Sequence, residues 1–282
     1  MIIGRKHMNN QELFLYWVKE RLQIYYSKES NEPKPWTKDT ILQQYKFCNV
    51  HREHDTVTKW IKYHWRDKYP DSPYMPFAMV VARTINWPET LASLEFPYGN
   101  IYRWMGDARE RMKVRRENKQ KVWTGAYLVS TNGHQMDKID YIIDKVWLPF
   151  YNGLRYPKHE EPLQSYWRYL REFDGLGSFM AAQVVCDLKY TKALKNAPDW
   201  WRWAALGPGS TRGINRYLGK DIKTPLSQEK GLEVINQAQG SIQYNLGLNL
   251  HAQDVQNCFC EYDKYVRVLN NEGRPRSTYP GV

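Results

Sequence analysis

Cysteine, acidic charge and long apolar runs are all scarce in this sequence, and each shortage closes off a class of answers. Only Cys48, Cys186, Cys258 and Cys260 occur among 282 residues. They form no disulfide-dense framework and no pair of CxxC knuckles, so a reducing cytoplasm is the simpler expectation. No apolar run approaches the ~20 residues that cross a bilayer, so no membrane partner is expected. The start "MIIGRKHMNN" opens with two apolar residues only, which is too little for a secretory signal. Residues 1–10 are expected to be a flexible lead or a cloning remnant, with Met8 as an alternative start. No internal repeat and no low-complexity linker appears. Thirty acidic residues face 41 basic ones, for a net charge of +11.

That surplus favours a polyanion partner, nucleic acid first. Aromatic residues make up 15% of the chain, with 12 Trp and 21 Tyr. Basic groups interleaved with flat rings suit phosphates and stacked bases, although much of the aromatic load must be core.

Apolar spacing predicts a mainly helical chain. "ELFLYWVKERLQIYY" is amphipathic, with Leu13, Trp17, Val18 and Leu22 at helical steps. Thr37 or Asp39 is placed to cap the next helix. "NVHREHDTVTKWIKYHW" is expected to be one helix, with Val50, Val57, Ile61 and Trp65 on one face. Arg52, Asp55 and Lys59 share the other. "PFAMVVARTINW" is expected as a buried helix ending before Pro88, and "PETLASL" as another with proline in its first turn. "RERMKVRRENKQK" is expected to be exposed. "AYLVSTNGH" is expected as a short strand entering a turn at Asn132 and Gly133, a small β-hairpin near 124–134. Residues 11–270 are expected to form one domain of two helical lobes, and 271–282 an extended tail.

"LREFDGLGSFMAAQVV" reads as a helix, a tight turn at Gly175 and Gly177, and a second helix beginning at Ser178. Glycine permits positive φ and close backbone approach, and amides at a helix start can bind phosphate. The pattern resembles the helix-hairpin-helix element, which grips the DNA backbone without reading sequence; a glycine-capped corner is the plainer account. Asp199 lies 22 residues beyond Gly177. Helix-hairpin-helix DNA glycosylases carry an essential aspartate at about this interval, so the resemblance makes Asp199 the first catalytic candidate; Asp187, on the helix after the hairpin, is the second, as either a lock or the true base. The plainer account of Asp199 is a cap before "WWRWAAL". The lysine nucleophile many such enzymes carry is missing, which argues against Schiff-base chemistry. "GPGSTRGINR" offers Gly207, Gly209, Ser210 and Arg212 as contacts for a leaving phosphate, or else a structural turn. It is not a nucleotide-binding P-loop, because five residues separate Gly213 from Gly219–Lys220 and Asp221 follows. Cys48, His51 and His54 lie three apart, but zinc spacing is absent and no metal is expected.

"YKFCNVHREHDTVTKWI", "MVVARTINWPETL", "GLGSFMAAQVVCDLKY", "GPGSTRGINR" and "HAQDVQNCFCEYDKYVR", in this order, resemble the phage alpha-glutamyl/putrescinyl thymidine pyrophosphorylases. Some of these are described as amino acid:DNA transferases. A related helical module is named for its association with hydroxymethyluracil DNA kinases. The resemblance implies a helix-hairpin-helix glycosylase-like fold, with two helical lobes and a DNA cleft. It also implies a reaction in double-stranded DNA carrying modified thymidine, in the cytoplasm of an infected bacterium. An amino acid or polyamine would displace (pyro)phosphate from 5-hydroxymethyluracil; no cofactor is implied beyond a monovalent cation at the hairpin. Asn49, Arg52 and Asp55, with Gln256, Asn257 and Glu261, are the polar clusters available to read an extruded base, or are solvated faces and buried locks. A glycosylase that excises a modified base, and a DNA-binding module partnering a kinase, are the alternatives.

Overall fold

A computed structural model describes residues 8–125, 129–275 and 277–279. The chain divides into two compact units. One joins the residues up to Asp55 with those from Trp201 onward; the other is the continuous stretch Thr56–Trp200.

The discontinuous unit holds α1 (Asn10–Glu29), α2 (Thr40–Gln44), α11 (Pro208–Tyr217), α12 (Gln228–Leu246) and α13 (Ala252–Leu269). The Asn9 side chain caps α1 and Glu12 returns the bond, a capping box that fixes where the helix begins. Asp39 caps α2 through the amides of Ile41 and Leu42. The apolar stripe of α1 packs into the core. Phe14 stacks on Phe259 at 4.5 Å between ring centroids, with Tyr217 and Tyr262 meeting it edge-on. Such contacts add to the burial of these rings. α11 and α13 pack backbone to backbone: a Cβ on Gly213 would fall 2.0 Å from the Phe259 carbonyl oxygen.

The continuous unit holds α3 (Thr56–Ile61), α4 (Met75–Ile85), α5 (Pro88–Leu94), α6 (Ile101–Glu117), α7 (Lys138–Tyr141), α8 (Leu148–Asn152), α9 (Leu163–Leu170) and α10 (Ser178–Leu188). Every residue of α4 is buried, and the helix stops at the left-handed Asn86 before Pro88, where the sequence places its end. π-helical turns continue α3 over Lys62–Arg66 and join α7 to α8 over Ile142–Trp147. The basic run on α6 is not a free cationic face. Arg109 pairs with Asp140 and Asp144, and Arg116 pairs with Asp137.

One expectation needs correction, and a second lies partly outside the described residues. The helix expected from residue 49 to 65 is broken: Arg52–His54 is a single 3-10 turn and Asp55 is extended, with ψ 137°. The Asp55 carboxylate accepts the Asn49 backbone and side-chain amides, and this local bonding stabilises a loop in competition with a helix. The hairpin near 124–134 falls partly on residues 126–128, outside those described. Around them no strand forms, and the His134 amide closes a turn onto the Thr131 carbonyl. Within the tail, Thr278 bridges Tyr45 in antiparallel fashion.

Candidate functional site

The glycine turn lies between α9 and α10. α9 is strongly amphipathic, burying Leu163, Tyr166, Trp167 and Leu170. The Trp167 indole donates to the Ser178 carbonyl at 3.0 Å and ties the two helices together. Gly175 has φ +72°, and a Cβ there would meet Val146 Cγ2 at 2.5 Å. Fold geometry therefore requires glycine at this position. Gly177 differs: φ is −58° and a Cβ would meet nothing within 4 Å among the described residues. It is exposed, it opens the eleven-residue α10, and as glycine it brings no side chain of its own to cap that helix start.

Asp174 organises the turn, a role that sequence reading missed. Its Oδ1 accepts the Gly175 amide at 2.9 Å and the Asn132 side chain at 2.6 Å, and His134 Nε2 lies 3.3 Å from Oδ2. Tyr141 stands beside it; burial and then this carboxylate push the phenol up to about 12. Burial works to raise the Asp174 carboxyl, but the bonds from Asn132 and Gly175, with Tyr141 and His134 close by, outweigh that and hold it below the usual range. The Asn132–Gly133 turn was visible in the sequence, but its partner 42 residues on was not.

Asp199 does not precede a helix, since residues 200–202 form turns. Its two oxygens accept the amides of Leu163 at 2.7 Å and Gln164 at 3.1 Å, so it caps α9 from a distant part of the chain. Asp187 is fully buried and held by Arg83 Nη2 at 2.8 Å and by Arg83 Nε, with Arg66 Nη1 at 3.6 Å. Thr58 and Asn86 take further bonds from Arg83. This is a buried carboxylate paired with two arginines, a lock rather than an open site.

At the start of α11, the Ser210 hydroxyl turns inward. It is fully buried, accepts the Gly207 amide and donates to the Gly207 carbonyl, both at 3.0 Å. A Cβ on Gly209 would meet Cys260 Sγ at 2.5 Å, so helix packing accounts for this glycine as it does for Gly213. Arg212 donates to the buried Asp263 at 2.9 Å while about a third of its side chain is exposed. Arg216 bonds the other Asp263 oxygen, and Arg267 lies 3.6 Å away.

The two polar clusters, far apart in sequence, meet in the discontinuous unit. The Asn257 side chain donates to the Asn49 carbonyl at 3.4 Å. Glu261 accepts the Cys48 amide at 2.9 Å and pairs with Lys264 at 2.6 Å. Asn49 itself is locked: Arg21 donates to its Oδ1, and its Nδ2 reaches His54 and Asp55. Arg52 is buried, and its amide donates to Asp254 at 3.0 Å. Asp254 also lies 3.1 Å from His251 and 3.6 Å from His51. Gln256 is half-buried on the same helix. Burial pushes the Asp55 carboxyl up, and the Asn49 amide and Arg52 only partly offset it. Burial works to raise Asp254 as well, but His251, His51 and the Arg52 amide outweigh it and hold it low. Burial pulls Lys264 down, and Glu261 more than restores it. His251 and Asp254 are functional candidates that sequence reading passed over. His251 caps α13 at the amide of Asp254, three residues on, which is the signal that could have found the pair.

Residues 9–274 match the family model described as "5-hmdU DNA kinase, helical domain". The chain belongs to this helical-domain family. A 5-hmdU DNA kinase of Bacillus phage SP10 is 24% identical over 296 aligned positions, covering 93% of this chain. The chain spans 45% of that relative's length. No solved structure matches. The match falls on the related helical module named for hydroxymethyluracil DNA kinases, not on the pyrophosphorylases that the sequence motifs resemble. The helical-domain match contains the glycine turn, the start of α11 and the whole polar network; it ends before Tyr279. Among the described residues no helix is long and apolar enough to cross a membrane.

Proposed function

We propose that this chain acts on 5-hydroxymethyluracil-type bases in phage-modified double-stranded DNA, inside the host cell. It grips the backbone at the start of α10 and replaces a phosphate group on the exocyclic methylene with an amine. The observation that carries the DNA-binding half is Gly177. The fold accounts for Gly175 but gives no steric reason for glycine at 177, and serine, aspartate or asparagine would cap α10 better. A phosphate approaching the amides of this helix start from outside does give a reason. This turn, with α9 and α10, is read as the helix-hairpin-helix element of a glycosylase-like fold. A monovalent cation at the turn belongs to the same reading, and no step depends on it. Membership of the helical-domain family, and the name of the SP10 relative, supply the base.

In the transfer, an amino acid or polyamine amine attacks the methylene carbon. The carbon–nitrogen bond forms, the carbon–oxygen bond breaks, and the departing (pyro)phosphate keeps the electron pair. The amine's surplus proton passes to a carboxylate. Asp55 suits that role better than Asp199 or Asp187: it is half-buried and its carboxyl is raised by burial. The oxygens of Asp199 are engaged in capping α9, and those of Asp187 in the arginine lock. Arg212 is the cation offered to the leaving group.

A second reading makes the chain a DNA-binding module that works beside a kinase. Two observations favour it: the chain spans 45% of the SP10 kinase, and its sequence has no P-loop. Nucleoside mass spectrometry after incubation with phosphorylated hydroxymethyluracil DNA and a mixture of amines separates the outcomes. An amine adduct is expected, with Asp55→Asn slowing it ~100- to 10,000-fold at unchanged DNA affinity. Loss of the base would mean a glycosylase. Unchanged nucleosides with intact DNA binding would leave the kinase-module reading. A rate abolished by Asp199→Asn and spared by Asp55→Asn would reassign the base.

A further inference from the structure

A second group of charges gathers in the discontinuous unit where the tail folds back on the chain. The Lys46 amide donates to the Ser277 carbonyl and the Tyr279 amide to the Gln44 carbonyl, both at 3.0 Å. This pairing sets the Tyr279 ring edge-on to Trp36, at 6.0 Å between centroids. Three exposed lysines converge on the two rings. Lys28 lies 5.2 Å from the Trp36 ring and 5.4 Å from Tyr279. Lys34 lies 5.3 and 5.5 Å from the same rings, and Lys46 lies 5.6 Å from Tyr279. Behind them is a cavity of 190 Å³ whose wall includes Ile24, Lys34, Trp36 and Leu42.

Like charges are brought together here at a cost. Burial, then Arg21, Lys46 and Lys34, depress the Lys28 ammonium; Glu29 opposes them. Cation–π attraction to an exposed ring returns only ~0.5–1 kcal/mol per contact. A core-building role needs none of the three ammonium groups, whereas an anion held among them would relieve their repulsion. Each ammonium lies over a ring face, which is also where a nucleobase stacks. A cavity of 190 Å³ falls short of the ~300–1,000 Å³ that encloses a small ligand, and the lysines are open to solvent. An extended ligand that passes over the surface fits better than an enclosed one.

We propose that Lys28, Lys34, Lys46, Trp36 and Tyr279 form a contact site for a single nucleic-acid strand, with phosphodiesters among the lysines and a base on the rings. The site stands independently of the glycine turn, which belongs to the other unit. It is completed by Tyr279, beyond residue 274 where the helical-domain match ends.

Fluorescence anisotropy of a labelled short oligothymidylate, titrated across a range of salt, tests this. Exchanging all three lysines for glutamine should weaken binding and flatten the dependence of log K on log salt by about 2, from ~0.7 per lost phosphate contact. The Lys→Arg triple variant should keep the wild-type slope. Tyr279→Ala, at a half-buried position of the tail, should weaken binding roughly 5- to 100-fold. Urea midpoints within error of wild type verify the fold of each variant. An unchanged slope and affinity in a folded glutamine variant would overturn the proposal. So would free thymidine monophosphate or pyrophosphate competing as tightly as the oligonucleotide, because the site would then hold a free phosphate compound.

Discussion

Gly213, in the middle of α11, and Gly177, at the start of α10, face opposite surroundings. The missing side chain of Gly213 is filled by the Phe259 carbonyl, 2.0 Å from where a Cβ would stand. The missing side chain of Gly177 is filled by nothing within 4 Å among the described residues. Gly209 follows Gly213, against Cys260, and Gly175 combines a positive φ with the approach of Val146. Three of these four glycines are explained by contacts inside their own unit and one is not. A glycine-rich helix start is thus two different devices, a packing face and an open backbone, and spacing alone does not tell them apart.

The comparison can be broken at each position. Gly213→Ala should have the largest effect. Its methyl group meets backbone, which cannot rotate away, so α11 and α13 must part and disturb the Phe14–Phe259 stack. The loss should reach or exceed the ~1–3 kcal/mol of ordinary overpacking, read as a fall in the urea midpoint. An unchanged midpoint would mean the two helices are not this close. Gly175→Ala comes next. A left-handed residue and a clash with a valine methyl should together cost roughly 1–3 kcal/mol. Gly177→Thr should change stability by no more than ~0.5 kcal/mol, because threonine caps a helix about as well as glycine. It should nevertheless weaken binding to every duplex sequence alike. Duplex affinity equal to wild type would remove the reason for placing DNA at this turn.

The smallest effect concerns two carboxylates of one network, shifted in opposite directions. Asp254 is held low, so the stability it adds is present above the ordinary carboxylate value and is lost as pH falls through its folded value. Asp55 is raised, so its contribution is complete below the ordinary value and is lost as pH rises through its folded value. Stability measured against pH should therefore flatten below about pH 4 in Asp254→Asn and above about pH 4 in Asp55→Asn. The same flattening in both variants would contradict the opposed shifts.

Several elements were legible at once. α1, α4 and α5 follow from apolar periodicity, prolines and caps, all of which act within a few residues. The turn at Gly175 was legible for the same reason. The break at Asp55 was not, because the stripe Val50, Val57, Ile61 and Trp65 keeps helical period straight across it. Side-chain bonds between Asn49 and Asp55 override the pattern, and periodicity does not register them. The site was half legible. Asn49, Asp55, Asn257 and Glu261 were picked out as polar clusters, but not as members of one network.

The sequence by itself determined that the chain is mainly helical, basic and rich in aromatic rings, and that it carries a glycine turn before an apolar helix. These are local properties, set by composition, side-chain period and backbone freedom. Tertiary structure alone decided what each polar group does. It turned Ser210 inward, placed Asp199 on a helix 36 residues upstream and locked Asp187 between arginines. It also joined Asn49 to Asn257 across 208 residues of chain. A buried polar group must find a partner wherever the fold supplies one. That partner is fixed by how helices pack rather than by sequence distance, which is why the roles of these residues emerge only in the folded chain.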